Sequence, residues 1–220
     1  MPADMPILAA DGLHKRFGAL VVLDGVSLAI ARGEALGIVG PNGAGKTTLL
    51  SVLSGAQRAD AGAIRFAGND VTALAAPARC RRGLVRTHQI PQPFAGMTVF
   101  ENAFVAAGQS GRPRGECYDR AVDALRLCGM LGIANRTADT LGLLDRKRLE
   151  LARALATGPS LLLLDEIGGG LTDAEAGELV EVIRELLRRD ISIVWIEHIV
   201  HVLLQVARRL ICMDAGRIIA

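Results

Sequence analysis

Gly40-Pro-Asn-Gly-Ala-Gly-Lys-Thr-Thr48 is the stretch of this sequence that decides the fold. It fits the pattern G-x-x-x-x-G-K-[ST], which forms a phosphate-binding loop when a strand precedes it and a helix follows it. Both flanks have that character, because residues 36–39 are an apolar run typical of a strand and residues 48–53 continue as a helix-like run. A glycine-rich turn that binds nothing would not need all of these features. The sequence therefore predicts a phosphate loop.

Each residue type in the loop has a chemical reason to be there. Glycines let the backbone curl so that successive N–H groups point at an anion, and the positive end of the following helix adds to the attraction. Lys46 is expected to contact the terminal phosphates, and the hydroxyl of Thr47 to hold Mg²⁺. The predicted phosphate-binding residues are Gly40, Pro41, Asn42, Gly43, Ala44, Gly45, Lys46, Thr47 and Thr48.

Length and composition indicate a soluble globular chain. The 220 residues carry a formal net charge of +2, which is too mild to require a nucleic-acid partner. The longest uncharged run, 87–100, contains a histidine and two prolines, so no segment is expected to span a bilayer. The N-terminus lacks the basic and apolar regions of a signal peptide. Because the cysteines are scattered, we expect reduced thiols and a cytoplasmic protein.

Two strand-rich blocks are expected to form an α/β core. Strands punctuated by glycines are predicted over 7–13 and 21–30, and from residue 34 into the phosphate loop. The four leucines at 161–164 form an unbroken apolar run, typical of a strand buried on both faces of a parallel sheet. The other elements predicted after it are a helix over 172–190 opened by a capping box, a helix over 199–207, and strands over 191–196, 209–213 and 217–219.

Helical patterns fill the segment between these blocks. The capping box Thr98-Val-Phe-Glu101 opens one helix, and amphipathic helices are predicted over 116–129 and 145–157. We therefore predict a single domain over 1–220. Its α/β fold would be a P-loop NTPase core, a mostly parallel sheet plus an N-terminal antiparallel β part, over 1–89 and 160–220, with an inserted helical subdomain over about 90–159.

Two acidic residues, Asp165 and Glu166, directly follow the apolar run at 161–164. A nucleotide triphosphatase needs a second group for Mg²⁺ at the end of a buried strand, and Asp165 fits that position. Glu166 is the next residue and projects into the same crevice, where it can orient and deprotonate an attacking water. The pair therefore predicts hydrolysis of a nucleoside triphosphate.

The chain resembles, over essentially all 220 residues, the ATP-binding subunit of an ABC transporter. The resemblance implies an ATPase with ATP and Mg²⁺ as its ligands. It makes Gln89 the glutamine that touches Mg²⁺ and the attacking water, and His198 the histidine that contacts the γ-phosphate. From the spacing alone, Phe17 fits equally well a partly buried loop side chain and a platform on which a purine ring stacks. The resemblance implies the second, because an aromatic near the N-terminus stacks on adenine in that family.

Several strings narrow the resemblance to the ATPases of branched-chain amino-acid importers and their urea and amide relatives. They imply as partners integral membrane permease subunits, a second ABC ATPase subunit, identical or different, and indirectly a periplasmic solute-binding protein. The location implied is the inner face of the cell membrane. The alternatives are a lipid or lipopolysaccharide exporter, a soluble non-transport ABC ATPase and a non-hydrolysing regulatory subunit. The strings are Val85-Arg-Thr-His-Gln89, Met97-Thr-Val-Phe-Glu-Asn102, Asp165-Glu-Ile-Gly-Gly-Gly-Leu-Thr172 and Ile196-Glu-His198.

One motif departs from the family. Where L-S-G-G-Q is expected, this chain has Leu141-Gly-Leu-Leu-Asp145, which we name the signature segment. In family members it closes over the γ-phosphate bound by the opposite protomer. Gly142 lacks the serine hydroxyl, and we expect Asp145 to cap a helix that begins at Arg146. We therefore expect a homodimer of this chain to hydrolyse ATP slowly.

An apolar cluster lies on the loop after Gln89. Its members either dock a cytoplasmic helix of a membrane subunit or, for Phe94 in particular, fold into the core of the helical subdomain. The cluster consists of Pro91, Pro93, Phe94 and Met97.

Overall fold

A computed structural model describes residues 5–220. Its strands are β1 Leu8–Phe17, β2 Leu20–Ile30, β3 Ala35–Val39, β4 Ala61–Phe66, β5 Asn69–Asp70, β6 Leu84–Arg86, β7 Leu161–Asp165, β8 Ser192–Ile196, β9 Arg209–Asp214 and β10 Arg217–Ile218. Its α-helices are α1 Lys46–Ser54, α2 Ala76–Arg81, α3 Val99–Gly108, α4 Arg114–Leu127, α5 Leu143–Ala156, α6 Asp173–Arg188 and α7 Val200–Leu203.

Two sheets organise these elements. The larger has the strand order β10-β9-β3-β8-β7-β6, in which β10 pairs antiparallel with β9 and all other neighbours are parallel. The smaller has the order β2-β1-β4-β5 and is antiparallel throughout. The predicted fold class, a mostly parallel α/β sheet with an N-terminal antiparallel part, is confirmed.

The leucines of β7 show why an unbroken apolar run is stable there. Leu162 and Leu164 belong to the hydrophobic core that also contains α3 to α6, whereas Leu161 and Leu163 belong to the core formed around α1 and the antiparallel sheet. All four side chains are fully buried. Alternate residues of a strand face opposite sides of its sheet, so a strand with a core on each side needs apolar residues at every position.

The segment between β6 and β7 is helical, with α3, α4 and α5 packed against one another. Thr98 accepts a hydrogen bond from the backbone of Glu101, and the Glu101 carboxylate accepts one in return from the backbone of Thr98. The predicted capping box is therefore confirmed, as is the one formed by Thr172 and Glu175 at the start of α6. None of the helices within residues 5–220 combines the length and the apolar character that crossing a bilayer requires.

Two predicted boundaries are wrong. The first strand continues beyond residue 13 to Phe17, because irregularities in its pairing let it pass Gly12 while β2 remains its partner. The helix expected over 199–207 is limited to Val200–Leu203. It ends early because the chain turns to join the sheet, and Arg208 already donates its backbone N–H to the carbonyl of Ala35 at 3.0 Å.

Candidate functional site

One edge of the larger sheet collects most of the predicted site residues. The phosphate loop follows β3, Asp165 ends β7, and His198 lies two residues after β8. These three strands are parallel neighbours in the order β3-β8-β7, so their carboxyl ends open into the same crevice. Gln89 also reaches this crevice, from the connection that follows the end of β6 at Arg86.

The phosphate loop is closed tightly against its surroundings. Gly45 has a φ of 96° and directly precedes α1. A Cβ at Gly45 would lie 2.6 Å from the carbonyl oxygen of Val22, and a Cβ at Gly40 would lie 2.1 Å from that of Met213. Only glycine fits both positions, because the backbone conformation and the close approach each exclude a side chain.

Positive groups surround a small cavity at this loop. The Lys46 ammonium donates to the carbonyl oxygens of Gly40 at 2.7 Å and Pro41 at 2.9 Å, which holds it at the loop. The first N–H groups of α1 have no acceptor within the helix and carry the positive end of its dipole. This donor set fits the oxygens of a phosphate chain. The cavity measures about 170 Å³ and is lined by Val22, Asn42, Gly43, Ala44, Gly45, Lys46, Thr47, Thr48 and Glu166.

Asp165 is fully buried beside the loop, with a different partner on each oxygen. Its Oδ2 accepts from Arg86 at 2.7 Å, and its Oδ1 accepts from the Thr47 hydroxyl at 3.5 Å. A carboxylate and a hydroxyl side by side are the hard oxygen donors that suit Mg²⁺, which needs few protein ligands because it retains water and phosphate oxygens. No cluster of three or more His, Cys, Asp or Glu side chains suited to a metal occurs within residues 5–220.

Glu166 lies between two other predicted catalytic side chains. His198 Nε2 is 2.8 Å from Glu166 Oε1, and the Gln89 amide donates to Glu166 Oε2. The carboxylate also borders the phosphate cavity and is 17% exposed. Glu166 adopts a left-handed backbone conformation with a φ of 49°, which is unfavourable for a residue with a side chain. A strained acid held by a histidine and an amide beside a phosphate cavity is an arrangement suited to activating water.

Comparison with known proteins decides the family. The family model described as ABC transporter matches residues 23–168. The chain belongs to the ABC transporter family. It is 37% identical to the high-affinity branched-chain amino acid transport ATP-binding protein LivG of Salmonella typhimurium, over 96% of this chain and 89% of that protein. It is 33% identical to the corresponding protein BraF of Pseudomonas aeruginosa, with the same coverage.

Solved structures agree with this assignment. A nucleotide-free ATP-binding cassette from an ABC transporter superimposes with a TM-score of 0.90 and 31% identity, covering 98% of this chain and 90% of that one. The ADP conformation of an ATP-binding cassette of an ABC transporter gives a TM-score of 0.90 at 32% identity with the same coverage. This chain is therefore an ATP-binding cassette, of a family whose members hydrolyse ATP.

Phe17 stands apart from the other predicted residues of the cassette. It ends β1 rather than lying in the connection where it was expected, and it does not line the phosphate cavity. Its side chain is 47% exposed, with the Lys15 ammonium 5.3 Å from the ring centroid. The exposed ring remains available for stacking, and the reading as a buried loop side chain is disfavoured.

The signature segment starts α5, but not as predicted. Gly142 is the N-cap and the helix begins at Leu143, so Asp145 is its third residue and does not cap a helix starting at Arg146. The chain adopts helical geometry earlier because leucine is a good helix former and Gly142 tolerates the extended N-cap conformation. Leu143 is 49% exposed, and its Cδ2 would lie 3.2 Å from a Cβ placed on Gly170.

Sequence reasoning missed three residues that shape this site. Arg86 pairs with Asp165 and also donates to Ser51. Lys147 and Glu197 are nearly buried and hydrogen-bond to the loop that carries Glu166. A charged residue directly beside a buried strand was the available signal for Arg86 and Glu197, whereas Lys147 lies on a helix and nothing in its spacing distinguished it.

Proposed function

We propose that this cassette is the ATP-hydrolysing motor subunit of an importer for branched-chain amino acids or related small amides such as urea. The observation that carries the proposal is its similarity to LivG and BraF along nearly the whole chain. The motifs after Arg86 and around Glu166 and His198 support the same subfamily.

The proposed roles combine the geometry of the crevice with what the family resemblance implies for Phe17, Gln89 and His198. Lys46 and the N–H groups of the loop bind the phosphate chain, and Phe17 stacks on the adenine. Thr47, Asp165 and Gln89 would hold Mg²⁺, which would neutralise negative charge on the phosphates. Glu166 accepts a proton from the attacking water. His198 contacts that carboxylate, and the family resemblance assigns it the contact with the γ-phosphate.

The proposed partners are integral membrane permease subunits and a second ATPase subunit, identical or different, with a periplasmic solute-binding protein acting indirectly. No nucleic acid is involved. The working location is the cytoplasmic face of the cell membrane, where the cassette is peripheral and the permease supplies the path through the bilayer.

Pro91 and Pro93 of the predicted apolar cluster are half-buried, whereas Phe94, Met97 and the neighbouring Ile90 are exposed. We therefore assign the permease contact to a docking surface formed by Ile90, Phe94 and Met97. These side chains are 72%, 46% and 37% exposed, respectively. Exposed apolar side chains clustered on one loop are typical of a protein interface. Phe94 also stacks near Arg153, whose Cζ lies 5.1 Å from the ring centroid, which orients the ring without burying it.

Cysteine crosslinking tests the docking surface. Gln92 and Ala95 are exposed and flank Phe94, so Gln92→Cys and Ala95→Cys are expected to crosslink to the permease. Glu181→Cys, on the exposed face of α6, is the matched control. The unmodified chain shows which crosslinks come from its native cysteines. Crosslinks from position 181 but not from 92 or 95 would refute this docking surface.

Capture from native membranes tests the function as a whole. The tagged cassette is expected to copurify with permease subunits and a solute-binding protein, and deleting its gene is expected to abolish uptake of labelled leucine or urea. Copurification with a lipid exporter, or with ribosomes, would instead support one of the alternatives. Measuring both uptake and partners distinguishes loss of transport from loss of assembly.

A further inference from the structure

Lys147, in the second turn of α5, is buried against the loop that carries Glu166. The residue is 6% exposed, and its ammonium donates to the carbonyl oxygens of Ile167 at 2.9 Å and Glu166 at 3.4 Å. Burial lowers the pKa of Lys147, and the negative charges of Glu197 and Glu166 oppose that shift. Burying a lysine costs free energy unless its donors are used, and here they are used on a catalytic loop.

Glu197 holds the same loop from the other side. It is 2% exposed, and each of its two oxygens accepts a different backbone N–H group. Oε2 accepts from Gly168 at 2.9 Å and Oε1 accepts from His198 at 3.0 Å. A Cβ on Gly168 would lie 2.8 Å from Glu197 Oε2, so a side chain at this position would displace the carboxylate from the loop.

These contacts surround a strained residue. The left-handed backbone of Glu166 persists only if its surroundings fix it. Its own N–H donates to the carbonyl of Ile196 at 2.9 Å, and Lys147 occupies its carbonyl oxygen and the next one. Glu197 then joins this loop to the backbone of His198, whose ring contacts the Glu166 carboxylate.

We propose that Lys147 and Glu197 are positioning residues for ATP hydrolysis, Lys147 by fixing the backbone of Glu166 and Glu197 by tying that loop to His198. The inference rests on the proposed roles of Glu166 and His198. Neither residue touches the phosphate cavity, so both act through other side chains. Because Lys147 belongs to the helix that the signature segment opens, it also links that helix to the catalytic loop of the same chain.

Steady-state ATP hydrolysis and direct ATP binding by the full chain test the proposal. Misplacing a reacting group by about 1 Å costs roughly a hundredfold in rate. We therefore expect Lys147→Met and Glu197→Gln to lower kcat by about tenfold to a hundredfold while the Kd for ATP stays near that of the wild type. Lys147→Arg keeps donors for the carbonyls and is expected to recover most of kcat.

Arg184→Met is the matched control, since Arg184 on α6 also donates to a backbone carbonyl, that of Gln205 at 3.3 Å, and does not line the phosphate cavity. It removes the same charge and is expected to leave kcat unchanged. Wild-type kcat in folded Lys147→Met and Glu197→Gln would overturn the proposal. Equal losses in Arg184→Met would also overturn it, because they would show a general effect of charge removal.

Hydrogen exchange provides a readout that does not depend on catalysis. The backbone N–H groups of Gly168 and His198 are expected to exchange faster in Glu197→Gln, where one acceptor oxygen becomes an amide donor, and unchanged in Arg184→Met. Unaltered exchange would overturn the positioning role even if Lys147→Met fails to fold. A wild-type chain that does not hydrolyse ATP in any assembly would instead count against the proposed function, and the exchange result would still decide the role of Glu197.

Discussion

The phosphate loop and the signature segment both place a glycine at the start of a helix, yet they differ in everything around it. Gly45 is followed by Lys46 and the hydroxyl of Thr47, whereas Gly142 is followed by Leu143 and Leu144. The first helix start has a cation, a hydroxyl and a cavity beside it; the second has apolar side chains. A helix N-terminus supplies the same dipole in both places, so the side chains decide how well each can hold a phosphate.

In the proposed dimer, one cassette makes two contributions: its phosphate loop binds its own ATP, and its signature segment closes over the ATP of its partner. The groups proposed to serve its own ATP lie together around Glu166, and we call them the intact side. The signature segment, expected to serve the partner's ATP, lacks its hydroxyl, and we call it the altered side. A chain built this way is expected to work best opposite a partner with an intact signature. The predictions below test each side of the comparison separately.

The largest effect is expected at the intact side. Glu166→Gln keeps the size of the side chain but cannot accept a proton, and loss of a general base typically lowers rate by about 10²–10⁴-fold. ATP binding is expected to remain, and the variant should retain ATP in a locked dimer. Single-turnover hydrolysis and retention of labelled ATP after gel filtration measure the two effects; unchanged turnover would remove Glu166 from its proposed role.

A rewrite of the signature segment tests the altered side. Gly142-Leu-Leu144 replaced by Ser-Gly-Gly restores a hydroxyl donor, and a Cβ at Gly142 would meet nothing within 4 Å, so a serine fits there. One such donor is worth on the order of 3 kcal/mol, or roughly a hundredfold in rate. Homodimer turnover at saturating ATP is therefore expected to rise by up to that factor. Gly142→Ser alone separates the hydroxyl from the effect of removing the leucines.

A fast wild-type homodimer, or no gain from either variant, would show that this segment works as it stands. Both helix starts would then hold phosphate mainly through their backbone N–H groups, which the two have in common. A gain from the triple replacement without a gain from Gly142→Ser would place the defect in the leucine side chains, since Leu143 packs close to Gly170.

Lys46→Ala is expected to weaken binding at the intact side. Hydrogen bonds to charged groups contribute about 1.5–3 kcal/mol, so the Kd for ATP should rise by about tenfold to 150-fold. Titration with a fluorescent ATP analogue measures it. Lys46→Arg is the matched control: it keeps the charge, but its planar guanidinium does not fit the two carbonyls that the ammonium bridges. ATP affinity unaffected by Lys46→Ala would contradict the proposed phosphate cradle.

The sequence predicted the intact side better than the altered one, for a physical reason. The residues around Glu166 follow parallel strands, and the ends of neighbouring parallel strands meet at one edge of a sheet. Their proximity therefore follows from strand order alone. Lys147 reaches the same place from a helix in a separate segment, and its position depends on how that helix packs against the sheet. No local pattern encodes such packing, so the start of α5 and the contact of Lys147 required the structure.

The smallest effect is expected at the two capping boxes. One lies at the start of α3 in the helical segment, and the other at the start of α6, directly after the loop that carries Glu166. Thr98→Ala and Thr172→Ala should each destabilise the fold by about 1 kcal/mol, because each removes the acceptor for a backbone N–H at a helix start. Trp195, the single tryptophan and 2% exposed, reports unfolding in denaturant by its fluorescence. Only Thr172→Ala is also expected to lower turnover, since Thr172 ends the loop that begins at Glu166.

Acid is expected to weaken the stabilisation that each of the two capping boxes provides. Backbone hydrogen bonds from Thr98 and Thr172 hold the pKa values of the Glu101 and Glu175 carboxyls below the ordinary value of 4.5. A carboxyl whose pKa is lowered by folding contributes stability above its unfolded pKa and loses it as the pH falls through the folded pKa. Glu101→Gln and Glu175→Gln should therefore be less stable than the wild type at pH 7, and the difference should shrink below about pH 4. A difference that stays constant with pH would mean that the charge of the carboxylate does not stabilise the cap.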